Sequence, residues 1–199
     1  MQPRTVHTNL APMAHISPRT PAAIVTLCCF LLSTASSCEK TSDLPQEYWG
    51  EVSAERDGLA WSPEIIAYRN KPYGQGIDVE IERYTTRGFR RETLLFFKVP
   101  DVVGVSPLAH TTSRIIDSLT GAFYATSLDD GDVLGDVYQL LDTDFIDDYV
   151  ELERIEGDEV WGSFQVTFER DPFFPVVDSS GPDTLVFRRG TFHTRVTVR

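Results

Sequence analysis

Beyond residue 38 the chain contains no cysteine. All three thiols, Cys28, Cys29 and Cys38, lie in one stretch, LCCFLLSTASSCEK, over residues 27–40. The part that follows can form no disulfide, so its stability has to come from a packed core. Histidine is almost as scarce, with only His110 and His193 after that point. Positive charge is short as well: 18 Lys and Arg face 30 Asp and Glu, for a net charge of −12. That argues against a nucleic-acid partner and against lying flat on anionic headgroups. No long hydrophobic run is present. The most apolar segment, AAIVTLCCFLL (Ala22 to Leu32), falls well short of the roughly 20 residues a membrane span needs. Helical periodicity is nearly absent too; SRIIDSLT (Ser113 to Thr120) fits a turn or two of helix capped by Ser113 no better than it fits a loop. There is no internal repeat or low-complexity block.

The short apolar run does have the length of a signal-peptide core, with Arg19 before it and the small residues Ser33, Thr34, Ala35, Ser36 and Ser37 behind. Cys38 follows. This resembles a bacterial lipoprotein signal peptide, with Ala35-Ser36-Ser37-Cys38 as its lipobox, although Leu is commoner than Ala at the first of these positions. The resemblance implies a leader over residues 1–37, started at Met1 or at Met13, and a diacylglyceryl group on the Cys38 sulfur. Cys28 and Cys29 would then leave with the leader. Since that leader carries Arg4 and Arg19 and no acid, its loss would make the remainder more negative still. EKTSDLPQ (Glu39 to Gln46) reads as a polar tether within residues 38–47, and residues 48–199 as one domain.

From Tyr48 onward the dominant period is two. Ile77, Val79 and Ile81 alternate with Asp78, Glu80 and Glu82, which predicts a strand with one apolar and one acidic face. TLLFFKV (Thr93 to Val99) is apolar on both faces and reads as a more central strand, reached through the turn residues Thr85-Thr86-Arg87-Gly88. The clearest hairpin runs from Tyr149 to Phe168, turning at Glu156-Gly157-Asp158. On its return strand Val160, Gly162, Phe164, Val166 and Phe168 share the inward face, and Trp161, Ser163, Gln165 and Thr167 the outward one. A last pair, Thr184 to Phe187 and Thr191 to Val198, is expected to turn through Arg188-Arg189-Gly190, with Phe192, Val196 and Val198 inward and His193, Arg195 and Thr197 outward.

The segments VSAERDGLAW (Val52 to Trp61), YVELERIEGDEVWGSFQVTF (Tyr149 to Phe168) and DTLVFRRGTF (Asp183 to Phe192) carry a wider resemblance. Together they are similar to a family of small uncharacterised lipoproteins of Bacteroidota-type bacteria, a domain of unknown function. Its members show a D-G hairpin and Trp near the start, then two late G-x-F strands. Here these are Gly162-Ser163-Phe164 and Gly190-Thr191-Phe192. The stretch from Asp101 to Asp148 departs most from that pattern. The resemblance implies a fold and an address in the cell envelope, and no catalytic residue.

The candidate sites weigh unevenly. DDGDVLGDVYQLLDTDFIDD (Asp129 to Asp148) holds eight aspartates, hard ligands suited to Ca²⁺. An EF-hand loop with Gly131 at position six would place ligands at Thr126, Leu128 and Val137, so that motif fails, and a solvated acidic surface is the expected reading. His110 and His193 have no local nucleophile signature beside them and are expected to be surface histidines. Paired carboxylates for glycoside hydrolysis carry no signal among so many acids. Gly74-Gln75-Gly76 leads into a strand, which removes the helix N-terminus a phosphate loop uses, and is expected to be a turn. Tyr48, Trp49, Trp61, Tyr68, Phe173 and Phe174 sit near strand ends or in loops, where exposed aromatics could stack on sugars or enter a partner's groove. The expectation for Phe173-Phe174, set between Pro172 and Pro175, is that their loop folds back over an open end and buries them.

The domain is thus expected to be all-β, an antiparallel β-sandwich or open barrel with little helix. No catalytic, cofactor-binding or metal-ligating residue is assigned; the one site residue is Cys38, for lipid attachment. The expected function is a non-catalytic binding or structural module, lipid-anchored on the periplasmic face or cell surface of a bacterium. The alternative is a carbohydrate- or peptide-binding accessory lipoprotein of a surface uptake system, and the third reading an envelope hydrolase. The partners left open are the membrane through its anchor, an envelope protein, or a glycan.

Overall fold

A computed structural model describes residues 49–69, 76–110, 119–141 and 147–198. The expected leader, Cys38, the tether, Tyr48, Gly74, Gln75 and residues 113–118 of the expected helical turn lie outside them. The described residues form strands β1 (Gly50–Arg56), β2 (Leu59–Trp61), β3 (Glu64–Arg69), β4 (Ile77–Tyr84), β5 (Arg90–Val99), β6 (Gly104–Pro107), β7 (Gly121–Leu128), β8 (Val133–Leu140), β9 (Tyr149–Glu156), β10 (Glu159–Arg170) and β11 (Thr184–Val198). No helix occurs among them. The hydrogen-bonded order is β2-β1-β11-β3-β4-β5-β7-β8-β10-β9-β6, and β10 pairs with β11 as well. The chain is therefore all-β, as the alternation predicts, and its sheet returns on itself through β10 and β11. Every pairing is antiparallel except β11 with β3, which is parallel over Val196–Val198.

Local chemistry explains the tight turns. Asp57 and Gly58 both have positive φ, 51° and 78°, the conformation that a two-residue hairpin matched to strand twist requires. Gly157 turns β9 into β10. Thr85 receives the Gly88 N–H on its carbonyl and the Phe89 N–H on its hydroxyl, closing the β4–β5 turn.

The expected turn at Arg188-Arg189-Gly190 is not a turn. β11 runs unbroken for 15 residues, and Arg189 sits in it as a bulge with φ 52°. Both neighbours register the extra residue: Ser53 and Glu55 of β1 face Thr191 and Arg188, while Phe164 and Val166 of β10 face Gly190 and Phe187. The bulge shifts the phase of the alternation by one. Leu185 and Phe187 point inward before it, and Phe192, Thr194 and Val196 after it. Val198, expected inward, is exposed because it pairs with Arg69 at the end of β3, beyond the core.

The two G-x-F motifs acquire a physical reason from this register. Gly162 lies opposite Phe192, and Gly190 opposite Phe164. Each phenylalanine covers the other strand's glycine. A Cβ on Gly190 would lie 2.5 Å from the Phe164 ring, and one on Gly162 would overlap the Phe192 ring and the Glu151 carbonyl. Phe164 is fully buried and packs on Phe96, with ring centroids 5.1 Å apart. A second aromatic group, Trp61, Tyr124, Phe168 and Phe187, fills the same core. Trp61 and Tyr68, two of the candidate contact aromatics, are thus buried.

β5 is buried on both faces, as expected of a central strand. The acidic face of β4 is partly buried. Glu82 receives hydrogen bonds from Tyr84, Arg90 and Thr93, and Asp78 accepts the backbone N–H of Lys98, a bulged residue with φ 57°. On β5, Glu92 takes hydrogen bonds or ion pairs from Trp61, Arg56 and Arg83 at 2.9, 2.8 and 3.4 Å. Removing one partner from such a buried cluster leaves uncompensated charge, which is why these side chains come with their donors.

Candidate functional site

Two surfaces gather side chains with binding chemistry. On the outer face of β9, β10, β11 and β1, register places Arg154, Trp161, His193 and Glu51 in one cross-strand row. His193 does face outward, as expected, but it is far from solitary. Its ring stacks on Trp161 at 4.2 Å and 10°, and meets Trp49 edge-on at 5.2 Å. Its Nε2 lies 3.0 Å from Glu159. The Arg154 guanidinium lies 3.6 Å from the Trp161 ring centre, and that of Arg195 4.6 Å from Trp49. Arg154 on β9 and His193 on β11 flank Trp161 from opposite sides, so both faces of its indole are occupied. The ladder holds the sheet together and leaves little free ring face for a ligand. A cleft of about 650 Å³ opens beside it, floored by the hydrogen-bonded hydroxyls of Ser53 and Thr191 and edged by Glu51 and Glu153.

The second surface lies over β7 and β8, under the loop that joins β10 to β11. The expectation that the loop folds back over an open end and buries Phe173 and Phe174 is overturned: they are 90 % and 44 % exposed. The cause is the way this loop is fastened. Asp136 on β8 is buried, pairs with Arg170 at 2.7 Å, and accepts the backbone N–H groups of Val177 and Asp178. Arg170 also donates to the carbonyls of Asp178, Gly181 and Pro182, and Tyr138 donates to Pro182. At the other end Asp171 closes an Asx turn, its side chain accepting the Phe173 N–H at 2.8 Å. With both ends of the loop held, Pro172-Phe173-Phe174-Pro175 has no slack to fold inward.

Beneath the loop is a groove of about 430 Å³, whose apolar walls include Phe97, Phe123, Tyr138 and Phe174. Its polar rim is His110, Gln139 and Asp171. Gln139 Nε2 donates to Glu169 at 3.1 Å, and His110 Nε2 lies 3.3 Å from Gln139 Oε1. His110, like His193, is part of a hydrogen-bonded group.

The acidic stretch is dispersed by the fold. Asp129, Asp130 and Asp132 belong to the β7–β8 turn, and Asp136 is committed to the loop. Asp148 is buried just before β9. Asp142 and Asp144 lie outside the described residues. Among the described residues no group of three or more His, Cys, Asp or Glu is arranged to hold a metal ion. Asp148 has a different distinction. Burial pushes its carboxyl up to about 6, partly opposed by the hydrogen bond from Thr167 N–H to Oδ2. Thr167 lies where β10 changes partner from β9 to β8, and Asp148 caps the N–H left between them. The other oxygen, Oδ1, has no hydrogen-bond partner among the described residues.

Sequence alone does not single out Asp136, Arg170, Gln139, Arg154 or Glu159. A signal for the ladder is present in the paired G-x-F motifs, since the register that aligns Gly162 with Phe192 also aligns Trp161 with His193. The Asp136–Arg170 fastening leaves no local signal. The chain matches no family model, no curated protein and no solved structure.

Proposed function

We propose that this protein is a non-catalytic binding module, tethered to the bacterial envelope through a lipid on Cys38, that takes its ligand at the Phe173 loop and the groove beneath it. The leader chemistry around Cys38 supports the tether. One observation carries the binding reading: Phe173 is 90 % exposed on a loop pinned by a buried Asp136–Arg170 pair. Exposing a large apolar ring is unfavourable, and holding it rigid reduces the ordering cost of a later association. Both features suit an anchor residue for a ligand or partner. The same reading covers an accessory role beside a surface uptake system, in which the module would hold material for a transporter.

The absence of cysteine after residue 38 supplies the experiment. A Val176→Cys variant puts a thiol on the same loop and leaves Phe173 intact; Leu59→Cys, on the β1–β2 hairpin, is the control. Maleimide modification, read peptide by peptide, should be at least several-fold slower at 176 in native envelopes than in purified protein, and unchanged at 59. Equal rates at 176 in both settings would refute a binding role for this surface.

A further inference from the structure

We propose that the groove under the Phe173 loop binds a neutral glycan, an inference that rests on the binding role just assigned to this surface. The hydrogen-bond wiring determines what the rim offers. The Glu169 carboxylate accepts from Gln139 at 3.1 Å, so the Gln139 nitrogen faces Glu169 and its oxygen faces His110. That oxygen, at 3.3 Å, calls for a proton on His110 Nε2. In the neutral ring that tautomer leaves Nδ1 with a lone pair. Asp171 is similar: Oδ1 is engaged by the Phe173 N–H, leaving Oδ2 as an acceptor. The rim therefore offers acceptors.

No lysine or arginine lines the groove among the described residues. The adjacent guanidinium, Arg170, is committed to Asp136 and to three loop carbonyls. With Asp171 at the rim, the Glu169 carboxylate bonded to the rim's Gln139, and a chain of net charge −12, an anionic ligand such as a phosphate, sulfate or uronate is repelled. The fitting ligand donates hydrogen bonds, carries no negative charge and has a flat apolar face for an exposed phenyl ring. A neutral sugar ring has this combination: hydroxyls around its edge and a C–H face that stacks on an aromatic. About 430 Å³ lies within the usual range of small-ligand sites.

The test is a calorimetric titration of the purified full chain with neutral xylo-, manno-, gluco- and chito-oligosaccharides, against oligogalacturonate and a proline-rich peptide as contrasting probes. At least one neutral series should bind. Phe173→Ala should weaken it tenfold or more with the melting temperature unchanged, Phe173→Tyr should retain it, and His110→Ala should weaken it several-fold. Absence of binding by every neutral series, preference for the uronate or the peptide, or binding indifferent to Phe173→Ala would overturn the glycan assignment. Slow modification of Val176→Cys in envelopes would then leave the binding role standing for another ligand; fast modification would remove both.

Discussion

Gly190→Ala should destabilise the fold only while Phe164 is present. Gly190 has no positive φ, so the backbone accepts alanine there, and the new methyl would meet Phe164 ring atoms at 2.5–2.6 Å. The ring cannot retreat easily, since it packs between Phe96 and Phe192, with centroids at 5.1 and 6.5 Å. Overpacking of this kind costs about 1–3 kcal/mol. Phe164→Ala alone removes a fully buried ring and should cost about 3–5 kcal/mol. In the double variant the alanine methyl occupies vacated space, so the strain disappears. The pair should then cost less than the sum of the singles by about 1–3 kcal/mol. Urea unfolding followed by tryptophan fluorescence, to which buried Trp61 contributes, measures all four corners of this cycle. Additive costs, within about 0.5 kcal/mol, would show that the glycine is not there to admit the phenylalanine.

Asp148→Asn should become relatively more stable than wild type as pH rises. The folded carboxyl titrates near 6, above its ordinary 3.8, so the native state holds a proton that the unfolded chain has already released between those values. Wild-type stability therefore falls across that window, and the penalty is complete above it. The stability difference should shift by about 2 kcal/mol between pH 4 and 7.5, and a difference independent of pH would count against the burial argument. Asp136→Ala leaves Arg170 without its carboxylate and should destabilise the loop, with proteolytic cleavage rising first within residues 171–183; uniform cleavage would contradict the fastening described for the loop. Cys38→Ser should release the protein from membranes on fractionation, since acyl chains contribute about 0.8 kcal/mol per buried CH₂; membrane-bound Cys38→Ser protein would remove the lipid anchor from the proposal. Millimolar Ca²⁺ should move the melting temperature no more than Mg²⁺ at equal ionic strength, and a Ca²⁺-specific rise of several degrees would make part of the Asp129–Asp148 stretch a metal loop.

Much of the sheet is legible in the sequence because period-two alternation reports a one-sided burial that the strands do have. Val160, Phe164 and Phe168 turn inward and Trp161 and Gln165 outward for that reason. The limits also have physical causes. At Arg189 a single left-handed residue produces the polar, glycine-ended pattern of a turn while the strand continues. Asp78 and Glu82 look like surface acids because the residues that pair with them, Lys98, Arg90 and Thr93, lie on the next strand. The exposure of the Phe173 loop escapes the sequence for the same reason. It depends on Asp136, and that pairing across the sheet has no signature within either segment. The outward direction of His193 follows from alternation, yet its stacking on Trp161 follows only once the β10–β11 register is known.

The binding role of the Phe173 loop is the centre of this account, and one measurement addresses it whatever the ligand is. A photoreactive benzophenone side chain replaces Phe173 in growing cells, and in a parallel strain it replaces Leu59, which is also exposed at 72 %. Illumination should produce adducts of increased mass at position 173 and none at 59. The adducts should disappear when Asp136→Ala frees the loop. No adduct at 173, or equal adducts at both positions, would contradict the claim that this pinned, exposed ring is where the protein meets its ligand.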